Sequence, residues 1–135
     1  MKYEVDAMGK LIYFIDDDKM ILNLLEYTFS SRDSYTVKMF RKGEDFFASF
    51  AEKPDLIVLD HSFVLLTSQY ENGLEILKKV RENDTLIPVI ILSSEQNTDV
   101  INEYHKIGVN KFISKDSYFI DSLIECIDEV LAPTN

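Results

Sequence analysis

Apolar residues along the chain alternate between two periods. LIYFI at 11–15, LIVL at 56–59 and VIIL at 89–92 are runs in which almost every residue is apolar. They are too short for helices and read as strands covered on both faces. The middle strand is predicted over Asp55–Leu59, and Tyr35–Phe40 and Lys111–Ile113 complete a set of five. Between the strands the apolar positions recur at helical spacing. Ile21, Leu24, Leu25 and Thr28 line one face of a first helix, and Phe46, Phe47 and Phe50 follow Gly43 in a second. Leu74, Leu77 and Val80 mark a third; Val100, Ile101, Tyr104 and Ile107 mark a fourth, which Gly108 caps. The fifth carries Ile120, Leu123, Ile124, Ile127 and Leu131 on one stripe, with Ser117 as the predicted N-cap and Pro133 beyond its end.

Five strand–helix repeats in this order predict an α/β domain with a doubly wound parallel sheet, right-handed crossovers and helices on both faces. No second domain, linker or low-complexity segment interrupts the pattern. Residues 1–9 read as a short lead-in and residues 10–135 as one domain.

In such a sheet, functional groups collect at the carboxyl ends of the strands. The first strand runs into Asp16, Asp17 and Asp18, and the third into Asp60. The fourth ends in Ser93 and Ser94, and the fifth is followed by Lys115. Each has a plain structural alternative: Asp18 as a helix N-cap, Ser93 as a turn residue, Lys115 as a surface lysine. Acids, a hydroxyl and an amine at the ends of four separate strands form a far more specific pattern. Two carboxylates ~4 Å apart repel by about 4 kcal/mol at an effective dielectric of 20, so Asp16, Asp17 and Asp60 together require a proton or a cation. Oxygen ligands with open positions suit Mg²⁺.

Composition narrows the function further. The 14 basic and 24 acidic side chains give a formal charge of −10, and no Lys/Arg block breaks the acidity. Nucleic acid and anionic membrane surfaces are therefore unfavourable partners. Cys126 is the single cysteine, which rules out an internal disulfide and a cysteine-rich metal site, and it reads as a core or boundary residue. The N-terminus has no signal-peptide core, and no run approaches the ~20 apolar residues that span a bilayer, so a cytoplasmic protein is expected.

Four segments in order carry a resemblance: IDDD at 15–18, PDLIVLD at 54–60, PVIILSS at 88–94 and GVNKFISK at 108–115. Together they resemble the receiver domain of two-component response regulators, from about Lys10 to Ala132. The resemblance implies a flavodoxin-like sheet of order 2-1-3-4-5. It makes Asp60 the acceptor of a phosphoryl group from a histidine kinase or phosphotransfer protein. It makes Asp17 the direct Mg²⁺ ligand, with Asp16 acting mainly through water and the Ser62 backbone carbonyl completing the protein ligands. Ser93 and Lys115 would contact the phosphoryl oxygens. Ser93 and Phe112 would form the switch that reshapes the surface of the fourth helix, fifth strand and fifth helix for a downstream effector. Such a domain is a signalling phosphoacceptor, promoting only its own phosphorylation and dephosphorylation.

Two departures bear on this resemblance. Family members usually place proline after the lysine, in a cis peptide; here Asp116 follows, and a cis bond before a non-proline residue costs about 2.5–4 kcal/mol. Either that strain is tolerated or Lys115 reaches the site differently, and Lys115 is expected to reach it. The segment HSFVLLTSQYENG after Asp60 is about five residues longer than usual, and its FVLL packs on the sheet edge or forms a partner surface. His61 reads as an exposed bystander and His105 as a surface helix residue. Two rivals remain open: a pseudo-receiver that binds without taking phosphate, and a haloacid-dehalogenase-like phosphatase with Asp16 as nucleophile and Asp18 as acid/base. The second lacks its paired acidic motif and leaves Asp60 unexplained.

Overall fold

The computed structural model describes residues 9–61, 73–84, 86–94 and 96–132. Five strands alternate with five helices: β1 (Lys10–Ile15), α1 (Lys19–Ser30), β2 (Tyr35–Phe40), α2 (Gly43–Ala48) and β3 (Leu56–Asp60). The second half adds α3 (Gly73–Asn83), β4 (Val89–Ser93), α4 (Thr98–Ile107), β5 (Lys111–Ser114) and α5 (Phe119–Val130). The strands form one parallel sheet of order β2-β1-β3-β4-β5, as the resemblance implied.

Alternation along the strands divides the core in two. Leu11, Tyr13, Ile15, Ile57, Leu59, Val89 and Ile91 pack on one face against Phe46 of α2, Ile76, Leu77 and Val80 of α3, and Tyr104 of α4. Ile12, Phe14, Leu56, Val58, Ile90, Leu92 and Ile113 pack on the other against Leu22, Leu25 and Phe29 of α1 and Leu123 and Ile127 of α5. Burial on both sides is the reason β3 and β4 are unbroken apolar runs. Tyr13 is wholly buried yet satisfied, because its hydroxyl donates to the carbonyls of Ser49 and Glu52.

Three predicted details shift. The third strand begins at Leu56 and includes Asp60; Asp55 sits just before it, and its carboxylate accepts the Leu11 amide at 2.8 Å, tying β1 to the approach to β3. The buried face of α1 is Leu22, Leu25 and Phe29, so the predicted Leu24 points outward and Thr28 lies at the margin, its hydroxyl donating to the Leu24 carbonyl. Ser117 does not cap α5. The turn before that helix is closed by Asp116, whose Oδ1 accepts the Tyr118 amide at 2.8 Å and whose carbonyl accepts the Phe119 amide. Asp18 caps α1 as predicted, and Gly108, at φ +113°, closes α4 with its amide on the Tyr104 carbonyl. Among the described residues no helix is long and apolar enough to cross a membrane. Ser62, the rest of the segment to residue 72, and Pro133 lie outside the described residues.

Candidate functional site

Strand order decides where a crevice opens. From β1 the chain crosses to β2 on one side and later to β3 on the other, so the carboxyl ends of β1 and β3 flank a topological switch point. Asp16 and Asp17 leave the end of β1 there, and Asp60 is the last residue of β3, beside Leu92 of β4. Ser93 ends β4 in register with Ser114 of β5, and the Lys115 amide donates to the Ser93 carbonyl at 2.9 Å. Asp16, Asp17, Asp60, Ser93 and Lys115 therefore share one rim.

Carboxylate oxygens of Asp16, Asp17 and Asp60 lie within 4.8 Å of one another. Asp16 and Asp60 are each only 2 % exposed, Ser93 is fully buried and Asp17 is partly exposed. The Lys115 ammonium reaches into the cluster, 2.6 Å from Asp60 Oδ1 and 3.3 Å from Asp16 Oδ2. It does so although Asp116 replaces proline; no peptide bond among the described residues is cis. Backbone contacts hold the acidic loop. The Asp18 amide donates to Asp16 Oδ1 at 2.9 Å, the Asp16 amide donates to the Phe40 carbonyl at the end of β2, and Arg41 donates to the Asp17 carbonyl at 3.2 Å. Asp18 itself faces away, its Oδ1 accepting the Met20 and Ile21 amides at the start of α1.

The electrostatics are unbalanced. Burial first, and then the Asp60 charge, push the Asp16 pKa up to about 6, against the Asp18 amide and Lys115, which favour its ionised form. Burial disfavours the Lys115 ammonium, but the hydrogen bond and charge of Asp60, with Asp16 beyond, outweigh it and raise its pKa. One ammonium cannot neutralise three carboxylates. An all-oxygen donor set with two nearly buried acids and one open to solvent fits a hard divalent cation.

Two neighbours complete the picture. Phe112 is partly buried on β5, its ring 5.8 Å from that of Tyr104. His61, read from the sequence as an exposed bystander, is partly buried, and its Nδ1 shares a 2.5 Å hydrogen bond with the Tyr104 hydroxyl. Tyr104 entered the prediction only as a core position on the fourth helix. A buried tyrosine needs a partner for its hydroxyl, which is the signal that could have marked it. His105 is exposed on α4, as expected. Gly73, the first residue of α3, is fitted to this corner: a Cβ there would lie 2.7 Å from the Asp60 carbonyl oxygen and 3.0 Å from the Tyr104 hydroxyl.

Residues 12–128 match a family model described as the response regulator receiver domain. A curated relative, the alkaline phosphatase synthesis transcriptional regulatory protein PhoP of Bacillus subtilis, is 35 % identical over 89 residues, covering 65 % of this chain and 35 % of that protein. The chain spans little more than a third of the length of such curated relatives. The solved BeF3-activated receiver domain of DrrB from Thermotoga maritima is similar at a TM-score of 0.77 and 25 % identity, over 93 % of this chain and 100 % of that one. The Mn(2+)-bound form of response regulator Rcp1 shares the fold at a TM-score of 0.73 and 22 % identity, covering 93 % of this chain and 98 % of its own.

Proposed function

The chain belongs to the response regulator receiver domain family, and from that premise we propose that it is a working phosphoacceptor in which Asp60 takes a phosphoryl group from a histidine kinase or phosphotransfer protein. The observation that carries this reading is the convergence of Asp16, Asp17 and Asp60 within 4.8 Å, with Lys115 2.6 Å from Asp60. In this reading residues 10–135 act as one unit in the cytoplasm.

An oxygen of Asp60 attacks the donor phosphorus in line. The O–P bond forms as the P–N bond of the phosphohistidine breaks, and the bonding pair stays on the imidazole nitrogen. Such transfer depends on positioning and charge neutralisation more than on proton movement. Lys115 is aimed at the acceptor carboxylate and offsets charge on the phosphoryl oxygens, while the buried Ser93 hydroxyl lies at the adjacent strand end to bond one of them. Asp17 directly, Asp16 mainly through water, Asp60 and the Ser62 carbonyl would hold Mg²⁺. When bound, the ion neutralises the transferring oxygens and the carboxylates together. The manganese named for Rcp1 belongs to the same oxygen-preferring class, which supports a divalent site of this kind.

Partners follow from two surfaces. Met20 and Tyr27, each 80 % exposed, and Leu24 form an outward apolar stripe on α1 that starts beside the acidic loop and offers a phosphodonor protein a place to dock. Ser93 and Phe112 would carry the phosphorylated state to the α4, β5 and α5 surface, where an effector reads it.

Acetyl phosphate with Mg²⁺, followed by intact mass, tests the reading. The wild-type chain is expected to gain one phosphoryl group, and neither Asp60→Asn nor a chelator-treated sample should gain any. No gain in the wild type would leave a binding module that does not take phosphate. Gain retained in Asp60→Asn would move the nucleophile elsewhere, as the phosphatase reading requires.

A further inference from the structure

Beside the acceptor, the end of β3 and the start of α3 meet at one hydroxyl group carried by α4. His61 is the first residue after β3; its amide donates to the Leu92 carbonyl at 2.9 Å and its carbonyl accepts the Gly73 amide at 3.2 Å. Its backbone is thereby fixed to β4 on one side and to the start of α3 on the other. The side chain is fixed as well. Nδ1 lies 2.5 Å from the Tyr104 hydroxyl, with the two rings edge-on at a centroid distance of 5.3 Å. Tyr104 is fully buried in α4, and its ring also lies 5.8 Å from that of Phe112. Phe112 has no hydroxyl of its own, so in this cluster the aromatic group able to report polar changes is Tyr104, and its hydroxyl reaches back to the residue beside Asp60.

From this geometry we infer that the His61–Tyr104 hydrogen bond couples Asp60 to the α4 surface, with His61 and Tyr104 acting as positioning residues. The inference rests on Asp60 being modified as proposed above. A phosphoryl group on Asp60 adds charge and bulk one residue from His61. Any adjustment of the β3 end displaces the imidazole, and the hydrogen bond to Tyr104 transmits that displacement to the middle of α4. Phe112 cannot turn toward Ser93 without changing its packing on the Tyr104 ring, so the two aromatics shift together. Gly73 packs closely against both ends of this contact, because a methyl group there would lie 2.7 Å from the Asp60 carbonyl oxygen and 3.0 Å from the Tyr104 hydroxyl. The structure thus provides a continuous run of contacts from the residue after Asp60 to α4, and coupling requires that this run adopt a second arrangement when Asp60 is modified.

Three substitutions separate coupling from packing. Tyr104→Phe keeps the ring and removes the hydroxyl. His61→Leu removes the ring nitrogen, and His61→Asn restores a polar atom at the Nδ1 position whichever partner donates. Each protein, alongside wild type, is treated with acetyl phosphate and Mg²⁺, with uptake read by intact mass and the response of Thr98–Ile107 read by backbone amide NMR shifts. Wild type and His61→Asn are expected to show shifts along α4. In Tyr104→Phe and His61→Leu, phosphoryl uptake should persist while those shifts fall below about half. Wild-type-sized α4 shifts in both of these variants overturn the inference and leave the phosphoacceptor reading standing. Failure of His61→Asn to rescue would also overturn it, since the loss would then follow shape. If wild type takes no phosphoryl group, the mass measurement alone shows that the underlying reading has failed and the coupling with it.

Discussion

Asp16 shows how a single side chain links folding to ion binding. Its ordinary pKa of 3.8 is pushed up to about 6 by burial and by Asp60. In the unfolded chain neither influence acts, so between those two values the folded state holds a proton that the unfolded state has released. The stability contributed by that proton is fully present below about pH 4 and is lost as pH rises through about 6. At pH 8 without a divalent cation, this group leaves the folded state about 3 kcal/mol less stable, relative to the unfolded chain, than it is below about pH 4. Asp16→Asn keeps an acceptor for the Asp18 amide and removes the charge. It is expected to raise unfolding stability at pH 8 in chelator by about 1–3 kcal/mol, with little effect at pH 4. Urea unfolding at the two pH values checks this; an equal gain at both would show that the benefit is not electrostatic. The clash was legible in the sequence, because Asp16 and Asp17 after one apolar run meet Asp60 after another wherever those two strands are neighbours in a parallel sheet. The His61–Tyr104 bond was not, since its partners lie 43 residues apart and neither belongs to a motif.

At the scale of elements, the ends of helices test how locally the fold is written. Asp18 caps α1 with two amides on one oxygen, so Asp18→Ala is expected to cost about 1 kcal/mol. The start of α5 behaves differently, because Asp116 lies two residues before Tyr118 and forms the turn that Ser117 was predicted to provide. Asp116→Ala should then destabilise by about 0.5–1.5 kcal/mol and Ser117→Ala by less than about 0.5. Thermal or urea unfolding of the three variants gives the ranking, and a larger loss from Ser117→Ala than from Asp116→Ala would reverse the assignment. The sequence pattern located these boundaries to within one or two residues because Asp and Ser are both good turn formers and sit side by side. It misphased α1 for a related reason. Ile21, Leu22, Leu24 and Leu25 permit two overlapping stripes, and Phe29, against Phe14 of β1, selects the one carrying Leu22. The central strands left no such choice, since LIVL and VIIL are apolar on both sides.

For the whole molecule the decisive fact is that β1, β3 and β4 each divide their side chains between the two cores. Neither face can unfold while the other remains packed, because removing α1 and α5 would expose the same strands that α2, α3 and α4 cover. A ligand at the rim must therefore act on the entire domain, although it touches only the ends of β1 and β3. An ion that binds the folded chain and not the unfolded one stabilises it by about 2.7 kcal/mol at a hundredfold excess over its dissociation constant. With a urea dependence of about 1–3 kcal/mol per molar, the midpoint should move up by about 1–3 M when Mg²⁺ is added at pH 8. The chain has no tryptophan, so far-UV circular dichroism and tyrosine fluorescence are the probes, and both should report one coincident transition with and without the ion. Asp16→Asn and Asp60→Asn should each lose most of the shift. If both variants keep it, Mg²⁺ is acting on the general acidity of a chain with charge −10. Two separated transitions would instead mean that the sheet does not bind its two faces into one unit, and that the rim cannot communicate with the surface formed by α4, β5 and α5.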